Sequence, residues 1–333
     1  MAFPFEEIAA GFSARRALVV GDICLDRWCA YDPHAAEPSR ETGIPRTAVI
    51  ASELTPGAGG TIANNLAALE TGHTAVLGVI GEDGHGWELR RALGARGIDH
   101  QLCVSHPGVC TFTYTKLLNR ETGEEDLPRV DFINSTPLPP EAERELVSRL
   151  RSNAEGFDVI LVSDQAETSA GGVVTAAVRE CLTSLALEFP EKIIWVDSRL
   201  RPELFRKVIV KPNRDEAEAA CRRAVGRTDF AALRALTESP LLAVTHGEGG
   251  VLLVREGAEP AMVPTVPVAR PVDICGAGDS FSAGCAIALS ITHDPVTAAR
   301  FGNLVASVTI MKKGTGTASR RELRAQLDRH PLA

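Results

Sequence analysis

Short apolar runs alternate with longer amphipathic stretches along most of the chain. Runs at 17–20, 76–80, 159–162, 193–196, 208–210 and 241–244 are rich in Val, Ile and Leu and read as strands buried on both faces. Between them, apolar residues recur at helical spacing over 61–70, 86–95, 140–153, 171–187 and 214–224. Such strand–helix alternation predicts an α/β fold with a mainly parallel sheet covered on both sides. Two further helices, 280–290 and 295–311, follow one another with no strand between. The rhythm breaks at 47–54 (TAVIASEL) and at 111–118 with 129–133, where partly alternating strands lack a helix between them. These predict a small separate sheet beside the main one, a lid formed by about 28–56 and 108–134. No internal repeat and no long Gly, Ser or Pro linker divides the chain, so 1–333 reads as one domain.

Composition narrows the function classes. Hydrophobic residues make up 44% and charged residues 23%, ordinary for a globular protein. A net charge of −8 argues against a nucleic-acid surface, which needs a basic face, but not against a small phosphorylated ligand. The eight cysteines contain no C-x-x-C pair and read as free thiols of a reducing compartment. The first residues carry early acids and no basic leader, and no apolar stretch reaches the roughly eighteen residues of a membrane span. The expectation is a soluble cytoplasmic protein.

The segment carrying the most chemistry is Asp273-Ile274-Cys275-Gly276-Ala277-Gly278-Asp279, which runs directly into an apolar helix. Amides at a helix start attract an anion, reinforced by the helix dipole, and Gly276 and Gly278 permit close approach of a phosphate. Asp279 then directs a carboxylate to the same place. A base beside an anion hole is what transfer of a phosphoryl group to an alcohol requires: the carboxylate takes the hydroxyl proton while the amides stabilise the transferred charge. The plainer alternative is an Asp that stabilises a helix N-terminus. A second Gly-rich turn, Gly57 to Gly60, opens a helix bearing Asn64, but lacks the Lys-Ser/Thr ending of a P-loop and the third Gly of a dinucleotide fingerprint. That absence disfavours a dehydrogenase. Asp22 and Asp26 follow the first strand, at the strand end where open α/β sheets bind ligands.

In order and spacing these motifs resemble the ribokinase-like PfkB family of carbohydrate kinases, from about Val19 to Thr317. The resemblance implies a three-layer α/β/α fold with a β-sheet lid. It assigns sugar binding to Asp22, Asp26, Gly59, Gly60 and Asn64, and catalysis to Asp279 with the amides of Gly276, Ala277 and Gly278. Asn213 and Glu216 match an N-x-x-E pattern that helps hold magnesium and phosphate; Thr245, Gly247 and Gly250 match a nucleotide segment, and Asn303 falls on a helix beside the adenine. ATP and Mg2+ follow as cofactors. K+ follows as a further cofactor through Asp273, at the position of the family's cation-site acid, and a homodimer through the lid follows as the assembly.

Within the family, Pro38-Ser39-Arg40-Glu41, Thr115-Lys116 and Arg129-Val130-Asp131-Phe132 resemble the heptose-7-phosphate kinase branch. A substrate already bearing a phosphate would suit Arg40 or Arg129, since Arg pairs with phosphate through two parallel hydrogen bonds. Two departures leave the acceptor open. The branch's S-D-Y-x-K-G stretch reads Ser163-Asp164-Gln165-Ala166-Glu167-Thr168 here, without its lysine, and its Asp-Pro-Lys reads Asp197-Ser198-Arg199. The chain also ends soon after the kinase motifs, so no fused nucleotidyltransferase is expected. Another sugar, a nucleoside, or a non-catalytic role on the same fold are the competing readings.

Overall fold

The computed structural model describes residues 3–165 and 171–332; Ala166, Glu167 and Thr168 of the departing motif lie outside the described residues. An eight-stranded sheet runs in the order Ala261–Val263, Val251–Val254, Leu242–Thr245, Ile209–Val210, Ile193–Ser198, Val159–Asp164, Arg16–Gly21 and His73–Leu77. All neighbours pair in parallel except the first two strands of that order, which form an antiparallel extension.

Alternation along each central strand divides the interior into two cores. Val19, Val76, Leu161 and Trp195 face one side, against the helices Gly59–Ala68, Ala277–Thr292 and Pro295–Thr309. Leu18, Val20, Ala75, Ile160, Val162 and Val196 face the other, with Pro140–Asn153, Ala176–Glu188 and Arg214–Ala224. The result is the three-layer α/β/α arrangement, as expected from strands apolar on both faces.

The expected 76–80 strand divides into His73–Leu77 in the main sheet and Val79–Gly81, which pairs with Val104–His106 in a sheet of two. The expected 171–187 helix begins only at Ala176, where the Thr175 hydroxyl accepts the Val178 amide as an N-cap. Strands Val251–Val254 and Ala261–Val263 and helices Phe230–Thr237 and Arg320–Arg329 are short elements that the periodic pattern did not reveal.

A second, four-stranded sheet stands over the carboxyl end of the main one, in the order Val49–Ala58, Ile23–Tyr31, Thr113–Asn119 and Val130–Phe132. Its strand Ile23–Tyr31 starts before residue 28, because the chain leaves the main sheet at Gly21 (φ 121°) and enters the second directly. Asp26 therefore lies within the sheet.

Helices Ala277–Thr292 and Pro295–Thr309 pack at glycine-level separation. A Cβ on Gly284 would lie 2.7 Å from the Val305 side chain, and one on Gly302 would lie 2.9 Å from both Cys285 and the Phe281 ring. Gly302→Val should therefore lower stability by about 1–3 kcal/mol through overpacking. Urea unfolding checks this: a fall in midpoint at constant slope is expected, and an unchanged midpoint would refute the close packing.

Candidate active site

A cleft of about 180 Å³ lies between the two sheets. The second sheet contributes Asp26, Trp28, Tyr114, Lys116 and Arg129; the main body contributes Gln165, Arg199, Gly276, Asp279 and Thr315. Gln165 and Arg199 sit just beyond the carboxyl ends of parallel strands, the end of such a sheet at which ligands bind.

Gly276 takes the left-handed conformation (φ 75°) as the N-cap of Ala277–Thr292, and no side chain caps that helix. A Cβ there would meet Thr61 at 3.1 Å and Thr315 at 3.2 Å, so the turn is held by packing from two sides. The Ala277 amide donates to the Ile274 carbonyl at 3.2 Å, which removes it from the expected set of anion donors. Gly276, Gly278 and Asp279 supply the remaining amides of the turn, in the field of the helix dipole.

Beneath this turn lies a buried ion pair that the motif reading did not assign. Lys211 follows strand Ile209–Val210, and its Nζ sits 2.8 Å from Asp197 Oδ2, with side chains 4% and 7% exposed. The Lys211 Nζ is 3.4 Å from where a Cβ on Gly278 would stand, and Ser282 Oγ donates to Asp197 at 3.4 Å. Burial works against the Lys211 charge, yet Asp197, helped by Glu216 and Asp279, holds the ammonium above its ordinary pKa. Above the pair, burial and the Asp197 charge push the Asp279 carboxyl up to about 7, while Lys211 and Arg199 pull in the opposite direction. Across the cleft, burial raises Asp26 to about 6 against the pull of Lys116 and Arg129. Two carboxyls that titrate near neutrality in one cleft mark a candidate site for acid–base chemistry.

The other expected residues are distributed unevenly. Arg129 lines the cleft, pairs with Asp131 at 2.7 Å and lies over the Tyr114 ring. Of the two arginines expected to suit a phosphate, Arg40 occupies an exposed turn and does not line this cleft, whereas Lys116 stands there beside Arg129. Asp22 is also absent from the lining, being 1% exposed with both carboxylate oxygens accepting backbone amides. Gly59 and Gly60 are buried, the one against Ile23 and the other against Pro56, and Ala58 before them holds a positive φ of 50° at the cleft wall. Asn64 donates to the Thr55 hydroxyl and the Pro56 carbonyl, tying its helix to the second sheet.

Asn213 and Glu216 form a reciprocal capping box: each side chain accepts the other's backbone amide, at 2.9 and 2.7 Å. Burial and the nearby Asp197 raise the Glu216 pKa. Asn213 bridges to Thr245, and Gly247 and Gly250 flank the turn that follows. Asn303 donates to the Pro264 carbonyl at 3.0 Å and so anchors the chain after the last strand. Asp273 accepts the amides of Cys275 and Gly314, at 2.9 and 3.0 Å, joining the Gly-rich turn to the loop after the final core helix. Among the described residues, no group of three or more His, Cys, Asp or Glu could hold a metal by itself. A magnesium ion near Glu216 would therefore take most of its ligands from nucleotide phosphates and water.

The Asp279 environment is testable directly. Carbon NMR of its carboxyl should give a midpoint near 7, protonated below and ionised above. Lys211→Met removes a neighbour that lowers the value and should move the midpoint to higher pH. A midpoint near 4 in the unaltered protein would refute the buried, Asp197-facing environment.

The sequence model of the pfkB family carbohydrate kinases matches residues 15–322. The bifunctional protein HldE of Trichlorobacter lovleyi is 32% identical over 320 residues, 93% of this chain and 62% of the relative, so the chain spans less than two thirds of that protein. Ribokinase of Arabidopsis thaliana, solved with ribose and ATP, superposes with a TM-score of 0.67 at 20% identity, covering 94% of this chain and 98% of that one. Phosphofructokinase-2 of Escherichia coli, solved with potassium, gives 0.68 at 18% identity, covering 95% and 99%. These two likenesses establish the ribokinase fold. With the family match extending over nearly the whole chain, and over every element that lines the cleft, this chain belongs to the pfkB family of carbohydrate kinases, phosphotransferases that act on sugar hydroxyls.

Proposed function

We propose that this protein transfers the γ-phosphate of ATP to a hydroxyl of a phosphorylated sugar, of the heptose 7-phosphate type (D-glycero-D-manno-heptose 7-phosphate). The observation that carries this reading is the charge layout of the cleft. Asp279 lies at the helix N-terminus on the floor, and Lys116 and Arg129 line the second sheet opposite. Arg129 pairs with Asp131 and Lys116 with Glu125, yet both stay on the cleft wall, where an acceptor phosphate offers them a strong anionic partner that a neutral sugar does not. The homology to HldE proteins favours the same branch.

In this mechanism Asp26 binds acceptor hydroxyls, and Asp279, ionised above about pH 7, accepts the proton of the attacking one. The amides of Gly276, Gly278 and Asp279 stabilise the transferring phosphoryl group, with the Lys211 ammonium fixed beneath them. Arg199 adds positive charge at the same wall. The second sheet acts as a lid that excludes water and so suppresses hydrolysis of ATP.

Magnesium, when bound near Glu216, would neutralise nucleotide phosphate charge. Glu216 suits that role, because a buried carboxyl with a raised pKa gains from a cation beside it. Potassium would be held at Asp273, bracing the turn against the 312–316 loop. Val49 and Ile50 are 46% and 54% exposed on the edge strand of the lid, an edge suited to pairing with a second copy. The eight cysteines are all unpaired and no helix among the described residues can cross a membrane; both fit the cytoplasm proposed here.

The deciding assay is acceptor-dependent ADP release from Mg·ATP, with potassium, across heptose 7-phosphate, fructose 1- and 6-phosphates, ribose, fructose and nucleosides. Heptose 7-phosphate should turn over, and Asp279→Asn should lower the rate by roughly 10²–10⁴-fold, the usual contribution of a general base. Turnover of a neutral sugar or nucleoside alone would overturn the sugar-phosphate reading. Silence throughout, from protein that binds ATP, would favour a binding role.

A further inference from the structure

Asp22 is a buried carboxylate near the cleft, engaged at both oxygens, that has no place in its lining. The residue is 1% exposed. Its Oδ2 accepts the Gln165 amide and its Oδ1 accepts the Val173 amide, both at 2.8 Å. Its backbone is equally committed: its amide donates to the Ser163 carbonyl and its carbonyl accepts the Gly59 amide, both at 2.9 Å. One residue thus ties Gln165 and Val173 to the start of helix Gly59–Ala68.

The residue just before Gln165 is fixed independently. Asp164 accepts from Arg201 Nη2 at 2.7 Å, from Arg201 Nε at 3.1 Å and from the Ser198 hydroxyl at 2.7 Å. Gln165 is therefore clamped from both directions, and it belongs to the wall of the same cleft as Asp26 and Asp279. A carboxamide both donates and accepts, and so suits a sugar hydroxyl, which does the same. At this position the S-D-Y-x-K-G pattern of the branch has an aromatic residue, so Gln165 gives this chain a different surface to present to its acceptor.

We propose that Asp22 is a positioning residue for acceptor recognition, holding Gln165 in the cleft wall, and that Gln165 contacts a hydroxyl of the acceptor and helps set which sugar phosphate is bound. This rests on the kinase reading above. It differs from direct sugar binding by Asp22, whose carboxylate is already occupied by two amides. An Asp is suited to the task because an ionised carboxylate accepts two amides from separate chain positions in charge-assisted bonds, which a single Asn oxygen does more weakly.

The test is a double-mutant cycle of Asp22→Asn, Gln165→Ala and their combination, assayed with the sugar phosphate of the panel that turns over fastest. Each single change should raise the acceptor KM about tenfold, as expected for a lost hydrogen bond to a fixed partner. The KM for ATP and kcat should move by less than about threefold. The double variant should be no worse than Asp22→Asn alone, because both changes remove one interaction. Additive effects would overturn the proposal and show that Asp22 meets the sugar itself. An unchanged acceptor KM in Gln165→Ala would equally overturn it, leaving Asp22 a purely structural tie. Should Asp22→Asn fail to fold, the Gln165→Ala result decides. Silence of the unaltered protein with every acceptor would sink the kinase reading, and this inference with it.

Discussion

The site is organised around one electrostatic constraint: the uncapped amide end of helix Ala277–Thr292 stands directly above the buried Asp197–Lys211 pair. Neither charge of the pair would be tolerable alone at that depth, since an isolated buried ion costs several kcal/mol. Paired, they supply a fixed dipole under the turn. Its positive end lies against Gly278 and its negative end raises the Asp279 pKa. The same pair thus favours negative charge at the turn and an Asp279 carboxyl that titrates near neutrality.

The rest of the architecture keeps that geometry rigid. Strands Ile193–Ser198 and Ile209–Val210, neighbours in the sheet, place Asp197 and Lys211 side by side at their carboxyl ends. The glycine-mediated packing of Ala277–Thr292 on Pro295–Thr309 fixes the helix axis. Asp273 links the turn to the loop beyond the second of those helices. The second sheet supplies what the main body lacks, a wall of Asp26, Lys116 and Arg129 facing Asp279.

Several residues that read as ligand contacts also maintain structure. Asn213 and Glu216 cap a helix, Asn303 ties down a loop, and Asp22 holds the Gln165 and Val173 amides. These roles are not exclusive of ligand binding for Glu216, whose carboxylate keeps a second oxygen. For Asp22 they are nearly so, because both of its oxygens accept amides and the residue is closed off from the cleft at 1% exposure.

The sequence by itself determined the fold class and singled out the glycine-rich turn at the helix start. Strands apolar on both faces leave few alternatives to a helix-covered parallel sheet, and Gly276 to Asp279 at the start of an apolar helix is a local signal needing no partner. Lys116 and Arg129 were visible as branch motifs, but nothing local told them apart from Arg40, which the fold leaves on an exposed turn. Only the tertiary structure joined Lys211 to Asp197, two residues on neighbouring strands, and only it turned Asp22 inward and Asp26 toward the cleft. The physical reason is that a motif fixes the backbone over a few residues, whereas burial, charge pairing and pKa depend on which distant strands the sheet order makes neighbours.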